Sequence, residues 1–197
     1  QIKWILLLSS ELEEMKKKNS FQITTEKLTL TKLTIDYISE KYVNWLNDKD
    51  VMKYSEQRHI VHTKESCRDY ICSLNNTNNL AWAILIKENN IHIGNIQVIV
   101  DTYNHVADIS ILIGEKNYMN HGYGSEAFLG VVNYLFVFKG MRKVTAGTMS
   151  LNKGMLKIMK NASMLDDGVF KDHFIFNGQF ADLIHKALFS KEWIIVK

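Results

Sequence analysis

Residues 27–34, KLTLTKLT, alternate apolar and polar side chains and predict a β-strand. Ile38, Tyr42, Trp45 and Leu46 then fall on one helical face, and Asp36 stands where an N-cap belongs, so a helix is expected to about Asn47. Residues 48–63 are polar with aromatic content and read as a long loop. Thr63 opens a second short helix with Glu65 in its first turn. The apolar runs LAWAILIK (80–87) and IHIGNIQVIV (91–100) flank Glu88, Asn89 and Asn90, which predicts a hairpin, and ADISILIG (107–114) reads as a third strand beside it. Phe128, Val131, Val132, Leu135 and Phe136 stripe a helix running to about Lys139, with Gly140 as its stop. RKVTAGTMS (142–150) predicts a strand and KGMLKIMKNA (153–162) a helix. GVFKDHFIF and QFADLIHKALF flank Asn177–Gly178 as a final hairpin with a type I′ turn. The order is β-α-α-β-β-β-α-β-α-β-β, an α+β class with a mixed, mostly antiparallel sheet flanked by helices.

Composition narrows the function classes. The 197 residues suit one domain with a full core. A net charge of +3 is too small for a nucleic-acid surface, so no such partner is expected, although an anionic ligand is compatible. No apolar run reaches the length of a membrane span, so no membrane partner is expected either. Cys67 and Cys72 make no disulfide framework and join no Cys/His cluster of zinc spacing, which points to a reducing, cytoplasmic setting and no metal. Proline is absent, so Asn and Gly must signal the turns. At the start, Trp4–Leu8 is a short apolar run with no small-residue cleavage site after it, and Met15 opens MKKKNSFQ in the manner of a natural start. Residues 1–22 are read as an N-terminal extension, with 1–14 outside the core fold, and 23–197 as a single domain. The other reading is a short helix whose Leu6, Leu7 and Leu8 dock on a partner. A homodimer is compatible with the sequence.

Candidate chemistry centres on NHGYGSEAF, residues 120–128, where two glycines precede the longest apolar helix. The first turn of a helix has unpaired N–H groups and the positive end of the helix dipole. Glycines lack a Cβ, so at 122 and 124 an anion can approach the amides of His121, Gly122, Tyr123, Gly124 and Ser125 closely. The plainer reading is a tight strand-to-helix turn. There is no G-x-x-x-x-G-K-[ST], and Ala127 stands where a dinucleotide fingerprint needs its third glycine.

ADISILIGEKNYMNHGYGSEAF resembles the acyl-CoA-binding motif of the GNAT N-acetyltransferases, a bulged strand followed by [QR]-x-x-G-x-[GA] and a helix. RKVTAGTMSLNKGMLKIMKNASM is similar to the next segment of that family. The likeness spans roughly residues 24–190 and is greatest to the branch of ribosomal-protein N-terminal and amino-sugar acetyltransferases. WLNDKDVMKYSEQRHIVHT is similar to sugar-nucleotide members such as the pseudaminic-acid pathway enzymes. Two positions depart from the pattern. Met119 replaces the [QR], and Met159 stands where the family often has a Tyr acting as general acid.

The resemblance implies acetyl transfer from acetyl-CoA directly to a primary amine. A bulge would splay strand 107–114 from strand 142–150, freeing amides near Ile111, Leu112 and Ile113 for pantetheine and for the thioester oxyanion. Asp108, or His105 just upstream, would take the amine's proton, against plainer readings as a solvated strand end and a turn residue. Asn152 would hold CoA as well as cap its helix, and Lys153 and Lys157 would meet the 3′-phosphate or else form an exposed basic face. Tyr118 or water would replace the missing general acid. The acceptor is expected against Tyr54, Gln57, Arg58, His59 and His62, with Arg58 gripping a diphosphate, Trp82 as a wall, and Lys171 with Asp172 and His173 opposite. A Trp within a strand is more often core. His92, His121 and His185 receive no role beyond the loop position of His121. The specific acceptor expected is a 4-amino sugar nucleotide. The rivals are a protein N-terminal acetyltransferase, an acyl-CoA-binding module without turnover, and a nucleotide-binding structural protein.

Overall fold

The computed structural model describes residues 21–193. Eight strands form one sheet: β1 (Ile23–Thr24), β2 (Leu28–Lys32), β3 (Leu80–Ile86), β4 (His92–Asp101), β5 (Val106–Ile113), β6 (Lys143–Met149), β7 (Leu165–Phe176) and β8 (Gln179–Phe189). Their order is β1-β2-β3-β4-β5-β6-β8-β7, and among the described residues β5–β6 is the one parallel pair. Among the described residues four α-helices are interspersed: α1 (Glu40–Asn47), α2 (Lys64–Leu74), α3 (Tyr123–Val137) and α4 (Lys153–Asn161). The α+β class and the mixed, mostly antiparallel sheet agree with the pattern of the sequence, and the element order does too apart from the short β1, which the pattern does not predict.

Strand alternation divides the apolar residues between two layers. Leu28, Leu30, Trp82, Ile84, Ile96, Val98, Ala107, Ile109, Val144 and Ala146 face α3 and α4, which contribute Phe128, Val131, Leu135 and Met159. On the opposite face, Leu33, Ala81, Ala83 and Leu85 meet Tyr42, Val43 and Trp45 of α1 and Cys67 and Ile71 of α2. Burying a side chain such as Phe128 stabilises the fold by about 1.5–3 kcal/mol.

Local signals set most boundaries. Thr63 caps α2 through a reciprocal box with Ser66, Asn152 caps α4, and Asn177 and Gly178 have φ values of 51° and 77°, both positive as a type I′ turn demands. The first helix departs from expectation. Asp36 lies in a single 3₁₀ turn, Ile35–Tyr37, and α1 starts only after Ser39, whose hydroxyl accepts from the Tyr42 N–H at 3.1 Å. Most of the expected extension, residues 1–20, lies outside the described residues. Phe21 belongs to the core. It stacks on Trp82 at 4.7 Å, and its carbonyl accepts from Trp82 Nε1 at 2.6 Å.

Candidate active site

The β5–β6 ladder is short. It pairs Val106 with Lys143, Ala107 with Val144 and Asp108 with Thr145, and then stops, although both strands continue. Beyond that vertex β5 stays fully paired with β4, from Asp108 opposite Ile99 to Ile113 opposite Gly94. The Gly114 N–H donates to the Ile93 carbonyl at 2.9 Å, which sets the alternation of the β4–β5 ladder. Leu112 therefore spends its N–H on β4. Ile111 and Ile113 turn theirs toward the opened side, where β6 no longer reaches. The strand is splayed as expected, but no bulge interrupts its paired register. The irregularity comes just past its end, where the Gly114 and Glu115 N–H groups both meet the Ile93 carbonyl, two residues against one.

The same strand leads into the start of α3. Gly122 is its N-cap at φ 89°, a left-handed conformation that costs an L-residue roughly 1–2 kcal/mol, and no side chain caps the helix. The first helical bond among the described residues is from Glu126 N–H to the Gly122 carbonyl. The N–H groups of Tyr123, Gly124 and Ser125 meet no acceptor there. Gly124 works differently from expectation. A Cβ there would lie 3.1 Å from Ile158 Cδ1 and 3.6 Å from Ile113 Cγ1, so its missing side chain seats α4 against α3 and does not open space for an anion. Asn161 of α4 donates to the Ser125 hydroxyl, and Lys157 shares the helical face of Ile158 and Asn161. Lys157 thus stands on the side of α4 that meets the start of α3, whereas Lys153 lies at the far end of α4. Asn152 is committed: Oδ1 accepts from the Met155 N–H and Nδ2 donates to Thr148 Oγ1. Met119 and His121 lie in the loop before α3, where the rings of His121 and Tyr118 pack by Tyr123 at 6.4 and 5.8 Å.

Asp108 sits at the vertex, on the face away from α3, between buried Ala107 and Ile109. Its Oδ2 accepts from Thr145 Oγ1 at 2.6 Å. Burial pushes its carboxyl above the usual carboxylate range, against the opposing effects of the Thr145 bond and of His185. Ser110, exposed, and Gln97, which accepts from Tyr70 at 2.6 Å, continue the polar row on this face. His105 does not join them. It occupies the turn before β5 at φ 50° and lines a cavity of about 260 Å³ with Leu135, Lys139 and Met141, at the closed end of the strand pair on the α3 side. That location sets it apart from Asp108 and from the opened stretch of β5.

The loop 48–63 and the β7–β8 hairpin do meet. Tyr54 packs on Phe176 at 5.5 Å, and Arg58 reaches the Ile175 carbonyl. Arg58 is nevertheless committed, because its Nη1 holds Glu56 at 2.6 Å and the Ser55 carbonyl at 3.0 Å. Its expected grip on a diphosphate would have to compete with these partners. His62 Nε2 lies 3.3 Å from the Gln57 carbonyl, and His59 lies 3.9 Å from Glu56. Lys171 is paired with Asp182 at 2.8 Å. Trp82 is fully buried beneath Tyr134 on the α3 face and walls no acceptor space, which corrects the expectation. Met159 is fully buried as well, so α4 presents no acidic hydroxyl at that position. His185, passed over in the sequence, lies on the Asp108 face. Nothing local in LIHKA marks it, because only the strand register brings residues 108 and 185 together.

A family model described as an acetyltransferase (GNAT) domain matches residues 27–164. The chain is 24% identical over 171 residues to the uncharacterized N-acetyltransferase YnaD of Bacillus subtilis (strain 168), covering 87% of this chain and 98% of that protein. A solved GNAT-family acetyltransferase from Bacillus anthracis superposes with a TM-score of 0.75 at 24% identity, covering 87% of this chain and 100% of the other. Spermidine N-acetyltransferase from Vibrio cholerae, solved with CoA and spermine, gives 0.75 at 15% identity, covering 85% and 98%. With strands that part beside an uncapped helix start, and a family match across most of its length, the chain belongs to the GNAT acetyltransferases.

Proposed function

We propose that this enzyme transfers the acetyl group of acetyl-CoA directly to a small primary amine, with Asp108 as the base. The observation that carries the reading is the end of β5–β6 pairing at Asp108–Thr145, which leaves the rest of β5 open on that side as the chain runs on to the unpaired amides of residues 123–125. Those amides suit the CoA diphosphate, and Lys157, one residue before the Ile158 that meets Gly124, is the cation assigned to add charge. The Ile111 and Ile113 N–H groups suit the pantetheine amides and the thioester oxygen. Oxyanion donors of this kind are typically worth about 3–4 kcal/mol.

The amine enters from the opposite face as an ammonium ion. Asp108 accepts its first proton, and the raised affinity of the buried carboxyl for protons favours that step. The free amine then attacks the thioester carbonyl. Collapse of the tetrahedral intermediate breaks the C–S bond, and the second amine proton ends on the CoA sulfur. A thiol pKa of about 8.5 makes the thiolate a tolerable leaving group. Tyr118, beside Tyr123, or water serves where Met159 cannot.

The finer acceptor assignment rests on less. A 4-amino sugar nucleotide remains the specific expectation from the loop 48–63, but it needs free cations, and Arg58 and Lys171 already hold carboxylates. An amine without a diphosphate suits that neutralised surface better. Met159 favours one rival, an acyl-CoA-binding module without turnover.

The test is release of CoA thiol from acetyl-CoA with spermidine, an amino sugar, a nucleotide-linked 4-amino sugar and an N-terminal alanine peptide. Thiol release that requires an amine, strongest with a small one, supports the proposal. Binding of acetyl-CoA without release across the panel establishes the binding module instead.

A further inference from the structure

His185 has no part in the reaction as described above, yet its placement is built. It stands on β8 opposite Gly147 of β6, on the sheet face that carries Asp108 and Thr145. A Cβ on residue 147 would lie 3.0 Å from both Cε1 and Nε2 of the His185 ring, so the imidazole sits in space that a side chain at 147 would contest. Phe170 of β7 meets the ring edge-on at 5.6 Å. The ring is thus held over β6, reaching from β8 toward β5. Asp108 reaches over the same strand from the other side, its carboxylate on Thr145. Thr145 and Gly147 are alternate residues on one face, roughly 7 Å apart along the strand. Carboxylate and imidazole therefore converge above one short stretch of β6, at the vertex where the strands part.

We propose that His185 is a positioning residue for Asp108: seated over Gly147, its imidazole faces the carboxylate across β6 and favours the form that takes the proton of the incoming amine. This rests on Asp108 being the base. The ammonium gives one proton to the carboxylate. The carboxylic acid then releases it to water, so the carboxylate returns to its starting state. The second amine proton still ends on the CoA sulfur. Both residues are part-exposed, which leaves the route open to solvent. The electrostatics agree in direction, since burial raises the carboxyl of Asp108 and His185 works against that rise.

Charged or titratable groups near the pair come from α2, β6 and β7; from α2, Tyr70 donates its hydroxyl to Gln97 at 2.6 Å. Lys143 is already neutralised by Asp167 at 2.7 Å, and His173 packs on Phe170 at 5.8 Å. The neighbours on β4 and β5, Ile99, Gln97 and Ser110, carry no charge.

The test is an NMR titration of the His185 ring signals in the full chain and in Asp108→Asn. The parent is expected to show two inflections, one from the ring itself and one from Asp108, and the variant only the first. The same single inflection in both proteins overturns the proposal. Gly147→Ala, which contests the space of the ring, is expected to weaken the second inflection while leaving Asp108 in place. The pH profile of kcat/KM, with the panel amine turned over fastest, supplies a second readout. His185→Gln is expected to shift the acidic limb upward, so that the rate falls more at acidic than at alkaline pH. An equal loss at every pH overturns the proposal. If Asp108→Asn leaves turnover intact, the base assignment falls and this inference with it. If that variant is inactive while His185→Gln leaves the shape of the profile unchanged, this inference alone falls.

Discussion

The two faces of the sheet prepare for their ligands by different means. The groups proposed for acetyl-CoA are main-chain amides: Ile111 and Ile113, facing the gap between β5 and β6, and Tyr123, Gly124 and Ser125 at the helix start. Toward α1 and α2, the groups available to an amine are side chains: Asp108, Ser110, Thr145 and His185, drawn from three strands, with Tyr54 and its loop beyond. A main-chain site depends on backbone shape, and few substitutions erase it. A side-chain site depends on each residue separately. The first face should therefore respond to changes in conformation and the second to changes in chemistry.

The largest effect is expected on the side-chain face. Asp108→Asn should lower kcat/KM by about 10²–10⁴-fold, the usual contribution of a general base, with the affinity for acetyl-CoA unchanged. Its stability should move the other way. The folded carboxyl titrates above its unfolded value, so its contribution is fullest below the ordinary carboxylate range and is lost as pH rises through the raised folded value. At neutral pH the buried charge costs stability. Thermal melting of Asp108→Asn at neutral pH should match or exceed the parent, and the difference should vanish in acid. A variant that loses both activity and stability would reduce Asp108 to a structural strand residue.

The next effect belongs to the main-chain face. Gly122→Val must hold an L-residue at positive φ, which costs roughly 1–2 kcal/mol and should weaken CoA binding by about tenfold if the loop shifts to escape it. Calorimetric titration with CoA reads this directly. Unchanged affinity would mean that the left-handed turn has no part in the site.

Met159→Tyr probes the boundary between the faces. The residue is fully buried, so the added ring and hydroxyl should cost about 1–3 kcal/mol through overpacking and should not raise turnover. A gain in kcat would show that a general acid had been restored. Arg58→Ala should have the smallest effect, less than about threefold on KM for a small amine, because its guanidinium already serves Glu56 and Ser55. A large effect confined to a diphosphate-bearing acceptor would revive the nucleotide-sugar reading.

The same contrast explains what the sequence disclosed. The fold was legible because its signals are local and periodic. The alternation of KLTLTKLT, the apolar stripe from Phe128 to Leu135 and the Asn177–Gly178 turn each identify an element without reference to the rest. The glycine-marked start of α3 was legible for the same reason. The reason for Gly124 was not, because its neighbour Ile158 is 34 positions away and appears only when α4 docks. The side-chain face depends on register between distant strands. That register removed Trp82 to the other side of the sheet, left His105 at the closed end and brought His185 over Gly147. The start of α1 was misplaced by three residues because Ser39 outcompeted Asp36 as cap.

The central claim is that acetyl-CoA is held by main-chain amides on the open edge of β5 and the first turn of α3. Residue-resolved amide hydrogen exchange, with and without CoA, tests it most directly. Added CoA should slow exchange at Ile111, Ile113, Tyr123, Gly124 and Ser125, while Leu112, already bonded to β4, should change little. Saturation with CoA that leaves those five amides exchanging as before would contradict the claim.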